Sequence, residues 1–130
     1  MTKRRSIEID GFKHANPIPA ASLVDTVLMS SVIVGRDPTT ATLPPTLEEQ
    51  MANLFLHVRA IVEAAGGTTG DIAKMNFWLR DPAKRDAING EWLKMFPDPH
   101  SRPARHTQPL AGGGDALVQC DVTAVIGRRG

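Results

Sequence analysis

The chain has no tyrosine and one cysteine, Cys120. The first absence excludes phenolic acid–base chemistry. The second excludes an intrachain disulfide and offers no thiolate cluster for zinc, which fits a reducing compartment. Charge of one sign is missing as well. Fifteen Lys and Arg against 14 Asp and Glu leave a formal +1 at pH 7, giving no global electrostatic case for nucleic acid or an acidic partner. Aromatic residues make up 5% of the chain and are not interleaved with basic ones as on an RNA-binding surface. No apolar run approaches the length of a membrane span, and the N-terminus shows no signal-peptide core. The expectation is a soluble, cytoplasmic protein with no membrane and no nucleic-acid partner. The short basic runs Lys3-Arg4-Arg5 and Arg128-Arg129 read as solvated tails. A length of 130 residues predicts a single domain over 1–130, able to bury a core without staples.

The periodicities order the chain. Ser6 to Asp10 alternates as a short edge strand, and Asn16-Pro17-Ile18-Pro19 is a proline-stiffened loop. Leu23 to Val34 is β-rich and breaks near Asp25, with Ser30 and Ser31 in its second half. Gly35 to Pro45 is a loop. Thr46, three residues before Glu49, predicts a capping box in which hydroxyl and carboxylate each satisfy an orphan amide. Leu47, Met51, Leu54, Phe55, Val58, Ile61, Val62 and Ala65 then recur along a helix of about five turns. Gly66-Gly67 closes it as a left-handed C-cap. His57 lies beside this stripe as a boundary residue.

Asp71 to Arg80 predicts a strand with Met75, Phe77 and Leu79 on one face and Lys74, Asn76, Trp78 and Arg80 on the other. Asp81-Pro82 predicts the start of a second helix, with Ile88, Trp92, Met95 and Phe96 as its apolar face and Pro97 as its stop. Asn89 reads there as a boundary residue or a local hydrogen bonder. Gly112-Gly113-Gly114-Asp115 lacks the lysine and helix of a phosphate cradle and reads as a flexible hairpin connection. In the last strand, Leu117 to Ile126, Cys120 falls on the apolar face as a core thiol, while Asp121 lies on the other face between Gln119 and Thr123. An unpaired buried carboxylate there would be costly. Together these predict an α+β fold with two helices on one face of a mixed sheet. The other face, with Gln119, Asp121 and Arg105, is then left to solvent or another subunit.

One stretch concentrates chemistry: Pro97-Asp98-Pro99-His100-Ser101-Arg102-Pro103-Ala104-Arg105-His106-Thr107. Pro103 sets an extended run in which Arg105 and Thr107 share a face. An arginine on a stiffened strand is a pre-organised fork for a planar carboxylate. It is equally the signature of a surface or ion-pairing arginine. His100 and His106 flank Pro103 with no third partner, so no metal site is expected.

Arg59-Ala60-Ile61-Val62-Glu63-Ala64-Ala65-Gly66, Gly70-Asp71-Ile72, Asn89, Arg105 after Pro103 and the final strand around Asp121 together resemble the Rid (YjgF-type) imine/enamine deaminase family, from about Ile18 to Ile126. Met95 to His100 followed by Arg102 to Thr107 is similar to a Rid subgroup with members in catabolic pathways that include aminomuconate deamination. The resemblance implies a chorismate-mutase-like fold and a homotrimer with clefts between subunits. It also implies hydrolysis of 2-imino or 2-enamino acids to 2-oxo acids and ammonia, without metal or organic cofactor. Arg105 then stands where the family binds the substrate carboxylate, and Ser30 and Asn89 where it lines or supports the pocket. Asp121 stands where the family usually has a glutamate that assists proton transfer or positions water. Two departures bear on the site: Ile18 occupies a loop that often carries an aromatic, and Asp121 is one methylene shorter than glutamate. Thr107 stands where some members have cysteine, which argues against a thiol role there. Three other readings compete: a structural Arg105–Asp121 salt bridge between adjacent strands, a non-enzymatic sensor of 2-oxo or amino acids in the same cleft, and an endoribonuclease, which the charge balance disfavours.

Overall fold

The computed structural model describes residues 3–127, so the Arg128-Arg129 run lies outside the described residues. These form β1 (Arg4–Ile7), β2 (Ala21–Val24), β3 (Val27–Ser30), β4 (Ile33–Val34), α1 (Leu47–Ala64), β5 (Ile72–Leu79), α2 (Asp86–Met95), β6 (Ala104–Pro109) and β7 (Val118–Val125). One mixed sheet runs in the order β1-β2-β3-β7-β5-β6, and β4 also pairs with β7. Alternation in the two central strands sets its faces. Met75, Phe77 and Leu79 of β5 and Val118, Cys120 and Val122 of β7 are buried against the helices, with Met75 opposite Val122 and Phe77 opposite Cys120. This is the α+β arrangement that the periodicities predict.

Several local expectations are corrected. Lys3-Arg4-Arg5 is not simply a tail, because Arg4 and Arg5 pair with Val24 and Leu23 in the edge strand β1. The break near Asp25 is a tight turn, with Asp25 at φ 54° between the paired residues Val24 and Val27. Asp81-Pro82 opens a separate 3₁₀ turn over Pro82–Lys84, capped by the Asp81 carboxylate, and α2 begins only at Asp86. The last two strands are no hairpin. β6 pairs parallel to β5, β7 pairs antiparallel to β5, and β5 lies between them. The glycine-rich segment therefore crosses the end of β5, and it is clasped there rather than loose. Arg80 donates to the carbonyls of Gly114 at 3.1 Å and Ala116 at 2.8 Å. Gln50, 1% exposed on α1, donates to Pro44 O at 2.9 Å and accepts from Leu117 N at 2.8 Å. A polar residue with no motif around it gives no sequence signal for that role.

The ends of α1 follow from local chemistry. Thr46 Oγ1 accepts from Glu49 N at 3.2 Å, but the Thr46 hydroxyl itself donates to Glu49 Oε1 at 2.8 Å, in place of the reciprocal bond from the Thr46 amide. The complete capping box lies at Thr68 and Asp71. At the other end Gly66, at φ 91°, and Gly67 donate to Glu63 O and Val62 O, the paired bonds of a Schellman stop.

His57 is a core residue, not a boundary one. It is 0% exposed, with its ring 5.1 Å from that of Phe12. Its Nε2 lies 2.7 Å from the Arg36 carbonyl, an acceptor, so Nε2 carries the proton. Protonation would place a second N–H at Nδ1, which is buried without a partner among the described residues. Burial accordingly pulls the imidazole below its ordinary value of 6.5, against the opposing pull of the Arg36 carbonyl and Asp37. The unfolded chain then binds more protons just below pH 6.5, so this contribution to stability is complete above 6.5 and declines as pH falls through it. Melting temperatures between about pH 7.5 and 5.5 should therefore drop for the wild type and drop less for His57→Gln. Parallel profiles would show that His57 is not the source.

Candidate substrate-binding site

Two groups of side chains emerge, one on the edge strand β6 and one around β7. The first is built on the edge strand β6. Its parallel register sets Arg105 opposite Met75 and Thr107 opposite Phe77, so both side chains lie on the helix side, where α2 covers the sheet. Arg105 is half-buried, and its Cζ sits 4.9 Å from the Trp92 ring centroid. Burial pulls its pKa below the ordinary guanidinium value, with Arg85 adding to the shift and Asp86 opposing it. The group stays cationic at any working pH. Among the described residues no hydrogen bond or ion pair engages its guanidinium. Asn89, half-buried on the same helix, donates Nδ2 to Asp86 Oδ1 at 3.4 Å. It is a local hydrogen bonder, close to the groups that act on Arg105.

The second group is built on β7. Asp121 pairs opposite Asn76, away from the helices, and Asn76 Nδ2 donates to Asp121 Oδ1 at 2.9 Å. That bond is the explanation an acid on a central strand requires. One residue on, Val122 N donates to Ser30 Oγ at 2.9 Å, across the break between β3 and β4. Ser30 therefore accepts through one lone pair and keeps its own proton to donate. Its neighbour Ser31 donates Oγ to Pro19 O at 2.9 Å and N to Ala20 O at 2.9 Å. This ties the loop of Ile18, which is 45% exposed, to the same end of the sheet.

The structure sets Arg105 and Thr107 on one face of β6 with Asn89 on the helix packed there. It links Ser30 to the β7 backbone next to Asp121 and, through Ser31, to the Ile18 loop, but it does not join the two groups. The expectation that Arg105 shares the open face with Asp121 is corrected by register: the two lie on opposite faces with β5 between their strands. The salt bridge between adjacent strands falls with it. Ser30 and Arg105 stand three strands apart, roughly 14 Å at the usual spacing. Cys120 is fully buried, and burial, reinforced by Asp121, pushes its thiol pKa well up, so it is an inert core residue. Sequence reasoning missed Asn76 and Trp92 as partners. Asn76 had a signal, a polar residue on the open face of a central strand. Trp92 had none, because a tryptophan at helical spacing reads as core.

No helix of the described residues is long and apolar enough to cross a membrane. The sequence pattern of the family named endoribonuclease L-PSP matches residues 11–126. A RutC family protein of Aquifex aeolicus (strain VF5) is 32% identical over 114 residues, 84% of this chain and 88% of the relative. A 2-iminobutanoate/2-iminopropanoate deaminase of Dermatophagoides farinae is 28% identical over 92 residues, 71% of this chain and 70% of the relative. The crystal structure of RidA from the Antarctic bacterium Psychrobacter sp. PAMC 21119 superposes with a TM-score of 0.86 at 26% identity, over 94% of this chain and 99% of that one. With its mixed sheet, its two helices and a pattern match spanning nearly the whole chain, this protein belongs to the endoribonuclease L-PSP family, the Rid (YjgF) family.

Proposed function

We propose that the protein hydrolyses 2-imino and 2-enamino acids to 2-oxo acids and ammonia, without metal or organic cofactor, in clefts between the subunits of a homotrimer. One observation carries the reading: a half-buried guanidinium at an edge strand with no hydrogen-bond or ion-pair partner among the described residues. Such a group is available to a planar carboxylate, the feature shared by all these substrates. The deaminase relative in Dermatophagoides farinae supports the reaction class.

The placement of the two groups supports the cleft. A small imino acid cannot span roughly 14 Å from Arg105 to Ser30, still less reach both faces of one sheet. A site using both groups takes Arg105, Thr107 and Asn89 from one subunit and Ser30, Asp121 and Ile18 from its neighbour. Val24, Val27, Met29 and Val125 are 43–58% exposed and adjoin one another on the open face by register. That apolar area supports burial against another copy.

The chemistry asks little of the protein. The iminium carbon is already electrophilic, so holding the carboxylate and placing a water supplies most of what is needed. Asp121, with Oδ1 engaged by Asn76, offers Oδ2 to accept a proton from the attacking water as its oxygen bonds to carbon. The same proton can then pass to nitrogen, and as the C–N bond breaks with its electron pair leaving on ammonia, Asp121 takes the remaining hydroxyl proton so that the carbonyl of the 2-oxo acid forms. The Ser30 hydroxyl donates to the developing oxygen or to the carboxylate.

An amino-acid oxidase generates the imine in situ, and semicarbazide traps what survives. The protein should lower semicarbazone formation and speed release of 2-oxo acid for at least one parent amino acid. The ranking of amino acids would size the space above Ile18. No acceleration with any parent overturns the reading, and binding of a 2-oxo acid without acceleration would make the protein a sensor instead.

A further inference from the structure

Arg105 and Trp92 pose a question that strand geometry alone does not answer. An arginine side chain has several rotatable bonds and loses substantial freedom when a ligand fixes it. Here no hydrogen bond or ion pair among the described residues restrains it, yet its Cζ sits over the indole at 4.9 Å. The indole is itself held. Trp92 is 7% exposed and meets Phe96 edge-on at 4.9 Å and Phe77 edge-on at 6.4 Å. Phe77 in turn stacks on Phe55 of α1 at 5.8 Å. A chain of rings thus runs from the centre of the core to the underside of the guanidinium. Such a ring is a rigid floor. A guanidinium held by its face keeps its N–H edges free, which is where a carboxylate binds.

We propose that Trp92 is the positioning residue for Arg105, fixing the guanidinium over a rigid ring so that its fork meets the substrate carboxylate already oriented. The inference rests on the clamp role proposed above. Trp92 touches no reacting atom; it lowers the ordering cost of the group that binds. Two further consequences follow. The ring quadrupole matters as well as the bulk, so phenylalanine should serve in part and leucine poorly. Binding of an anion to Arg105 should also be felt by the indole beneath it.

The chain contains two tryptophans, so Trp78→Phe leaves Trp92 as the only indole. In that protein, titration with 2-oxobutanoate should give a saturable change in emission that Arg105→Ala abolishes. In the coupled imine assay, Trp92→Leu should raise KM by roughly tenfold with a smaller effect on kcat, and Trp92→Phe should recover most of the loss. A merely structural tryptophan would lower the melting temperature and leave KM in place. Loss of binding in Arg105→Ala beside wild-type KM in Trp92→Leu overturns this inference alone. Undiminished binding in Arg105→Ala overturns the clamp, and this inference with it. Should Trp92→Leu fail to fold, Trp92→Phe and the emission of Trp92 decide, and an emission unmoved at saturation overturns the inference.

Discussion

Arg105→Ala should reduce kcat/KM for 2-imino acid hydrolysis by a factor of about 10² to 10⁴, and Arg105→Lys by roughly 10², while both variants stay folded. Each charge-assisted hydrogen bond contributes about 1.5–3 kcal/mol, and a bidentate clamp has two. Alanine loses both, and about 1.4 kcal/mol corresponds to each tenfold. Lysine keeps a point charge but loses the planar fork and the face that lies over Trp92. Neither change should unfold the protein, because Arg105 is half-buried on an edge strand and its side chain makes no hydrogen bond among the described residues. What goes is the contact with the indole, which costs about 0.5–2 kcal/mol. Initial rates with an oxidase-generated imine, beside thermal melts, separate the two effects. Near-normal turnover in Arg105→Lys would sink the clamp.

How much of this could be read in the chain depends on the range of the interaction. Alternation in β5 and β7 and the stripe of α1 are set by neighbours two, three or four residues away. They appear in the sequence because one face of each element must be apolar. The Gly66-Gly67 stop is equally local. The failures are of a different kind. The parallel pairing of β6 with β5 is decided by the crossover through α2, so a short strand beside a glycine-rich connection gave the wrong neighbour. That error also put Arg105 on the wrong face, since face follows register. His57 looked like an edge residue because it is polar, and Gln50 carried no signal at all. Both are buried because each meets a distant backbone group, Arg36 O in one case and Leu117 N in the other. Arg105 stood out locally through its proline-stiffened strand and Asp121 through its place on a central strand, whereas Ser30, Asn89 and Ile18 were singled out by family resemblance alone. Nothing local tells Ser30 from Ser31: Ser30 accepts the Val122 amide, while Ser31 holds the loop of Ile18.

The largest effect on stability should come from adding one methyl group. Gly35 follows β4 and is buried where the chain passes under α1. A Cβ built there would overlap Gln50 O and lie 2.6 Å from Gln50 C and 2.7 Å from Gln50 Cα. All three are backbone atoms of the first turns of α1, so no rotamer change relieves the contact. The Gly35 carbonyl also accepts Asn53 Nδ2 at 3.2 Å, which holds strand and helix together at this level. Relief requires lifting α1, and with it Met51, Leu54 and Phe55, off the sheet. Gly35→Ala should therefore cost more than about 3 kcal/mol, a fall of roughly 10 °C or more in melting temperature, or leave no soluble protein. The conformational freedom of glycine is not at issue, because Gly35 is absent from the positive-φ residues. Gly90 is the control. It lies inside α2 with nothing within 4 Å of its Cβ direction, and there the same substitution should stabilise by about 0.5–1 kcal/mol. Opposite signs at 35 and 90 would identify the close approach of β4 to α1 as the cause. A mild effect at Gly35 would mean that helix and sheet can separate at this point without loss.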